Sequence, residues 1–306
     1  LMVWKEKNWM KFNIKNKINL TRSIKFHYPI IGNISFFNPY LSFYTKTNIS
    51  EKRLNNKFQI YRILSGTYNI SKNCKIRDGW IVKHNNKGEK SIIKDKIFVK
   101  EIPLIPFKHV FLLTNSKETN PRLSFNNFIF NNNLFSYDNP AFVELYSTYI
   151  TGNLVENNIT PHFIKLYGNF SGIYKTFTYY ENKESIENVP NGIFPKNTKF
   201  TDKNVDIAAV KIKKYPVMCI ITEVAGNSLF DELKEKDYYI KRLKSYFFQI
   251  LTALSLVQSK FNLIHNDLHT SNILCNNTSK KYLYYKGNDE RKYKIPTFGK
   301  ILKIID

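Results

Sequence analysis

The chain has 306 residues, 42% of them hydrophobic, and carries 47 Lys and Arg against 24 Asp and Glu, for a formal charge of +23. That length and apolar content supply core for one large domain or two lobes and exclude a mostly disordered chain. No apolar run approaches the ~18 residues a membrane span needs, and the opening residues hold no signal-peptide core. The three cysteines, Cys74, Cys219 and Cys275, form no C-x-x-C pair and no disulfide framework, so a reducing intracellular, cytoplasmic setting is expected. The positive charge favours anionic partners such as nucleotide, nucleic acid, anionic lipid or acidic protein. Because the basic residues are dispersed along the chain rather than gathered in one stripe, nucleic acid is permitted but not favoured.

In chain order, residues 1–55 are basic and aromatic without a clear period and read as an N-terminal extension. Residues 58–64 are strand-like and run into the turn signal Ser65-Gly66-Thr67. Residues 83–95 are polar and predict a loop; residues 97–102 predict a half-buried strand ended by Pro103. Residues 115–135 are Asn-rich and read as an insertion. Asp138-Asn139-Pro140 is a helix start, a capping side chain before an early proline, with apolar residues at helical spacing after it. A strand at 163–168 follows, then a polar surface insertion at 181–208, then a short buried strand at 217–221. The clearest helix begins near Asp237, with Leu243, Phe247, Ile250, Leu254, Val257 and Phe261 as its apolar stripe. A strand at 273–275, a polar insertion at 276–294 and a last strand at 301–305 complete the chain, which shows no internal repeat.

The segment His265-Asn266-Asp267-Leu268-His269-Thr270-Ser271-Asn272 sets a carboxylate and an amide five residues apart, between the long helix and an apolar strand. Phosphoryl transfer needs such a pair, one group to orient the attacking hydroxyl and another to hold a metal. The final strand ends in Asp306, a second hard oxygen donor suited to Mg²⁺. Lys100 stands in an apolar strand with Phe98 and Ile102 on its face, so it needs an anionic partner. Lys108 is the alternative. His265 and His269 stand four apart, but Asn266 occupies the place of the glutamate a zinc-hydrolase helix requires.

Taken in order, a strand Lys, a helical Glu, an apolar strand, a long helix, H-x-D-x-x-x-x-N and a strand-ending Asp make residues 58–306 resemble the protein-kinase superfamily. The closing half, from His265-Asn266-Asp267-Leu268-His269 through Ile295-Pro296-Thr297-Phe298-Gly299-Lys300 to Lys303-Ile304-Ile305-Asp306, looks most like the Ser/Thr protein kinases of large nucleocytoplasmic DNA viruses, which implies a viral protein of host cytoplasm or virion. The resemblance implies a bilobal α+β kinase-like fold, with an N-lobe at 56–222 and a hinge and partial C-lobe at 223–306 that stops after the metal-binding Asp. It implies ATP and Mg²⁺ as cofactors and a protein Ser/Thr hydroxyl as acceptor. By that resemblance Asp267 orients the acceptor, His265 belongs to the catalytic loop, and Asn272 and Asp306 hold the metal. Lys100 grips the phosphates with Glu144, or Glu156, as its helical partner. Thr222, Glu223 and Ala225 form the adenine-binding hinge, and Gly66 marks the phosphate loop, with Gly79 and Gly88 as alternatives.

Three departures from the kinase pattern matter. The phosphate loop has a single Gly where G-x-G-x-x-G is usual. Asn266 replaces the Arg that grips a phosphorylated activation loop. His269 stands where a Lys is usual, as in kinases of small molecules such as aminoglycosides or choline. A small-molecule kinase and an inactive pseudokinase scaffold therefore stand as alternatives. With Leu1 first and Asp306 last, the chain is expected to be a fragment, inactive and aggregation-prone on its own.

Overall fold

The computed structural model describes residues 30–33, 57–64, 68–71, 73–84, 89–104, 139–182, 207–234, 240–287 and 291–306. The Asn-rich segment 115–135, most of 1–55 and of 181–208, and the residues Gly66, Gly88, Lys108 and Asp138 lie outside them. What is described is a mixed α/β chain built on a curled antiparallel sheet of seven strands. These are β1 (Ile30–Asn33), β2 (Phe58–Ile63), β3 (Tyr68–Ser71), β4 (Cys74–His84), β5 (Lys90–Pro103), β6 (Leu166–Asn182) and β7 (Ile207–Glu223). Their order is β1-β6-β7-β5-β4-β2, with β3 also on β4. The sheet curls enough to bring β2 back towards β6: the Phe58 and Tyr167 rings lie 6.1 Å apart.

Alternation along β5 divides its residues between two faces. Ile97 and Val99 are fully buried on one, with Glu101 beside them. Lys100 shares the other with Ile220 and lies two residues from the Phe98–Thr222 pair. β7 is buried on both faces from Val217 to Thr222, which is why it reads as a continuous apolar run rather than an alternating one.

The described parts of two polar segments that predict loops are strand. The ladder between β4 and β5 continues through Ile81–Ile93 to His84–Lys90, so 83–95 is mostly the outer half of a hairpin. Residues 89–96 are exposed there. Their polarity reports solvent on both faces, while the backbone ladder holds the strands. Likewise β6 and β7 pair out to Asn182–Ile207, so the ends of the 181–208 segment extend a long hairpin. β6 begins at Leu166 rather than 163; Phe163 instead makes a lone parallel bridge to Ile304.

Helix α1 (Pro140–Glu156) starts as its signal predicts. Asn139 caps it, accepting from Ala141 N at 3.0 Å, with Pro140 at the first position. The same Asn139 side chain donates to Leu104 O at 2.7 Å, tying the helix start to the end of β5. Past β7 come β8 (Asn227–Ser228), the short helix α2 (Leu229–Leu233), capped by Ser228, and α3 (Ile240–Phe261). β9 (Ile273–Asn277) and β12 (Lys300–Ile304) form with β8 a second antiparallel sheet in the order β12-β9-β8. Gly226 makes the link between the sheets feasible: a Cβ there would lie 2.0 Å from Cys275 O, while its N–H donates to Asn276 Oδ1 at 2.7 Å.

The buried face of α3 differs from the predicted stripe. Tyr246, Gln249, Ile250, Ala253 and Val257 face the core, whereas Phe247 is 62% exposed. The stripe shifts because Gln249 is the residue that docks β12. Its Oε1 accepts from Leu302 N at 3.0 Å and its Nε2 donates to Lys300 O at 3.4 Å. A purely apolar pattern search passes over a buried amide that saturates a strand. Leu154, Phe163, Leu229, Ile273, Cys275, Leu302 and Ile304 complete this core. The polar insertion at 276–294 is also structured: β10 (Tyr282–Lys286) and β11 (Lys292–Pro296) form a hairpin in register Leu283–Ile295 and Tyr285–Tyr293. Its inner tyrosines pack on Phe248, with ring centroids 5.2 Å and 5.4 Å away.

Candidate functional site

Three elements converge on one ammonium. Lys100 projects from β5, Glu144 from the second turn of α1, and Asp306 follows β12. Lys100 Nζ lies 2.8 Å from Glu144 Oε1 and bonds Asp306 Oδ1 as well. The Asn139 bond between Leu104 and the start of α1 sets the register that lets residue 144 reach residue 100. Burial works to lower the Lys100 pKa, but Glu144 and Asp306 outweigh it and hold the ammonium above its ordinary value. Burial raises the Glu144 carboxyl, against the pull of Lys100.

The loop between α3 and β9 is stitched to the same place. His265 Nε2 lies 2.9 Å from Ile305 O, and Ile305 N donates to Asn272 O at 3.0 Å. Asn272 is buried and its Nδ2 donates to Asp267 O at 3.0 Å. That bond uses one of the two amide N–H groups, and Oδ1 is the side chain's acceptor end. His269 caps a short 3₁₀ turn (Thr270–Asn272), taking Ser271 N on Nδ1 at 3.2 Å. The Asp267 carboxylate does not join the Lys100 cluster. Its side chain is 84% exposed, with His269 Nε2 3.9 Å from its Oδ2.

Glu156, the other helical carboxylate weighed for Lys100, faces elsewhere. Its Oε2 accepts from Lys57 N at 2.7 Å, and burial pushes its carboxyl up to about 7. Gly79, weighed as a phosphate-loop glycine, sits inside β4, where an added Cβ would meet Ile97 Cδ1 at 2.9 Å. Close packing under Ile97 accounts for the glycine. Thr222 is buried and donates to Glu223 O at 3.1 Å. The Glu223 N–H is taken by Lys165 O at 3.1 Å, and Ala225 is half-buried.

The side chain of Glu223 holds the residue that sequence reasoning missed. Lys303, nearly buried in β12, donates to Glu223 Oε1 at 2.6 Å and to Phe163 O at 2.8 Å. Lys165 N donates to the same Oε1 at 2.9 Å. Burial lowers the Lys303 pKa, opposed by Glu223. This cluster ties the end of β7 to β12 and to the lead-in of β6, two residues from Ile305. The signal was present: Lys303 interrupts the apolar run 301–305, the same anomaly that singles out Lys100.

Among the described residues, no group of three or more His, Cys, Asp and Glu is placed to hold a metal ion. None of the described helices is long and apolar enough to cross a membrane. The chain matches no protein-family model. Over 66 residues, 21% of the chain, it is 39% identical to serine/threonine-protein kinase ppk5 of Schizosaccharomyces pombe. Over 52 residues, 16% of the chain, it is 36% identical to a probable serine/threonine-protein kinase of Dictyostelium discoideum. These stretches span 8% and 4% of those proteins, so the chain corresponds to under a tenth of either relative's length. Over those stretches the chain is similar to serine/threonine-protein kinases.

Proposed function

We propose that the chain is the nucleotide-binding part of an ATP-dependent phosphotransferase with a bilobal kinase-like fold, acting on a protein Ser/Thr hydroxyl. The observation that carries this reading is the Lys100 ammonium held between Glu144 and Asp306, with the His265–Asn272 loop bonded to Ile305 beside it. On this reading the curled sheet and α1 are the N-lobe, residues 223–226 the hinge, and α2, α3 and β8–β12 the start of the C-lobe. Kinship with kinases of large DNA viruses is proposed on the closing motif alone.

The donor set suits the proposed groups. Asp306 is a half-exposed carboxylate and Asn272 turns its carbonyl oxygen away from its own hydrogen bond, two hard oxygens of the kind Mg²⁺ takes. A bound Mg²⁺ would neutralise charge on the nucleotide phosphates. Lys100, fully charged and fixed by Glu144, would position those phosphates. Asp267, exposed at the mouth of the loop, would accept the hydrogen bond of the incoming hydroxyl and orient it. Thr222 and the backbone of residues 223–225 would border the adenine.

Binding of a fluorescent ATP analogue by the chain tests the reading first. Affinity should depend on Mg²⁺ and fall at least tenfold in Lys100→Met and Asp306→Asn; Mg²⁺-independent binding untouched by both would sink it. In the full-length protein, phosphotransfer to mixed protein acceptors should vanish in Asp267→Ala while nucleotide binding persists. A second reading, transfer to a small-molecule hydroxyl, is favoured by His269 standing 3.9 Å from Asp267. Aminoglycoside or choline acceptors turning over faster than protein would select it.

A further inference from the structure

The two faces of the β10–β11 hairpin differ sharply. The inner face is anchored: Leu283 is buried, and Tyr285 stacks on His162 at 5.9 Å with its hydroxyl 2.8 Å from Nε2. The outer face carries Tyr282, Tyr284, Lys286, Lys292 and Lys294, all exposed. Register places Tyr284 across from Lys294 and Lys286 across from Lys292. Like charges directly opposite destabilise a strand pair, so the ribbon concentrates positive charge at the expense of its own stability. Tyr284 is 74% exposed, and Lys294 Nζ lies 4.2 Å from the centroid of the Tyr282 ring. Lys280 and Lys281 extend the charge at the base. Basic residues of the single stretch 280–294 are thus gathered onto one face, interleaved with aromatic rings.

We propose that this outer face is a docking surface for single-stranded nucleic acid. Phosphates answer the lysines, and base planes answer the tyrosine faces. Alternate residues on a strand stand about 6.7 Å apart, a spacing that one unstacked nucleotide can span. An acidic peptide would satisfy the lysines and leave the rings unused. An anionic membrane would ask for aliphatic side chains to insert, and this face shows none among its described residues. The hairpin leaves β9 and β12 at the ends away from Asn272 and Asp306, about 17 Å along the strands. The surface is therefore separate from the Lys100 site and independent of the phosphotransfer reading.

Fluorescence anisotropy of the chain with a labelled 15-nucleotide oligo-dT, at 50 and 200 mM salt, tests this. Tyr284→Ala should weaken binding about tenfold at fixed salt. The double variant Lys292→Glu with Lys294→Glu should abolish it. On the unaltered chain, oligo-dT should protect Lys292 and Lys294 from acetylation. Oligonucleotide affinity unchanged in both variants would overturn the proposal. So would displacement by polyglutamate of equal charge with no effect of Tyr284→Ala, or binding to phosphatidylserine vesicles without binding to oligo-dT.

Discussion

Glu223→Gln should be among the most costly isosteric substitutions in the molecule. It keeps the shape of the side chain and removes the anion that faces Lys303. The ammonium would retain Phe163 O, 2.8 Å away, and lose its counter-charge in a place where its side chain is only 8% exposed. Two routes bound the cost. Keeping the charge unpaired and buried costs about 3–5 kcal/mol. Shedding the proton at pH 7, from an ordinary pKa of 10.5 and about 1.36 kcal/mol per unit, costs about 4.8 kcal/mol. Lys303→Met should cost less than half as much, because Glu223 keeps Lys165 N at 2.9 Å and Lys165 Nζ at 3.8 Å. At about 2–4 °C per kcal/mol, melting followed by circular dichroism should show Glu223→Gln about 10 °C below the parent at pH 7. The sign with pH is fixed. The folded Lys303 pKa, already lowered by burial in the parent, falls further in the variant, so the unfolded state binds more protons and the variant's stability rises with pH over a wider range. The deficit should shrink by about 1.4 kcal/mol per unit between pH 7 and 9.5. A Glu223→Gln melt within 2 °C of the parent, or a deficit equal at both pH values, would refute this account of the cluster.

Other outcomes follow from the same geometry. His162 is held neutral, its pKa lowered to about 4 by burial, while burial raises Glu156 to about 7. The first gives stability that rises with pH between 4 and 6.5; the second gives stability that falls between 4.5 and 7. The two nearly cancel, so Glu156→Gln should gain about 2 kcal/mol from pH 5 to 7 and His162→Gln should lose stability over the same interval; urea midpoints showing the parent's slope in both would contradict the assignment. Gly226→Ala should cost about 3 kcal/mol or more because its Cβ meets Cys275 O, whereas Gly299→Ala, with open space but a φ of 79°, should cost about 1 kcal/mol; equal urea midpoints would refute the contrast. Glu144→Gln should raise the half-saturating ATP concentration more than Glu156→Gln does, since Glu144 is the carboxylate that touches Lys100; the reverse order in a titration would reassign the pair.

Local chemistry with a strong physical signature was readable from the residues. The Asn139–Pro140 start, the long α3 and the apolar β7 each announce themselves through capping, period or composition. The conflict between Lys100 and its apolar strand also pointed to an anionic partner, and the kinase resemblance brought Glu144 forward as a candidate. The outer end of the β4–β5 hairpin did not show, because a ladder exposed on both faces has the composition of a loop. The β10–β11 hairpin was hidden for the same reason on its outer face. The α3 stripe was misplaced because burial there follows a hydrogen bond from Gln249 as much as hydrophobicity. Lys303 was missed although it breaks its strand as plainly as Lys100 does; its partner Glu223 entered only as a hinge residue implied by the resemblance.

Strand β1 is supplied from more than a hundred residues upstream and lies along β6 opposite Gly172–Tyr174. Without it, the outermost strand of the sheet would offer a row of unsatisfied amide and carbonyl groups to any passing β-segment. Trimming the N-terminus to residue 57 for expression would therefore uncover a template for intermolecular pairing, and such a shortened protein should self-associate more strongly than the 306-residue chain.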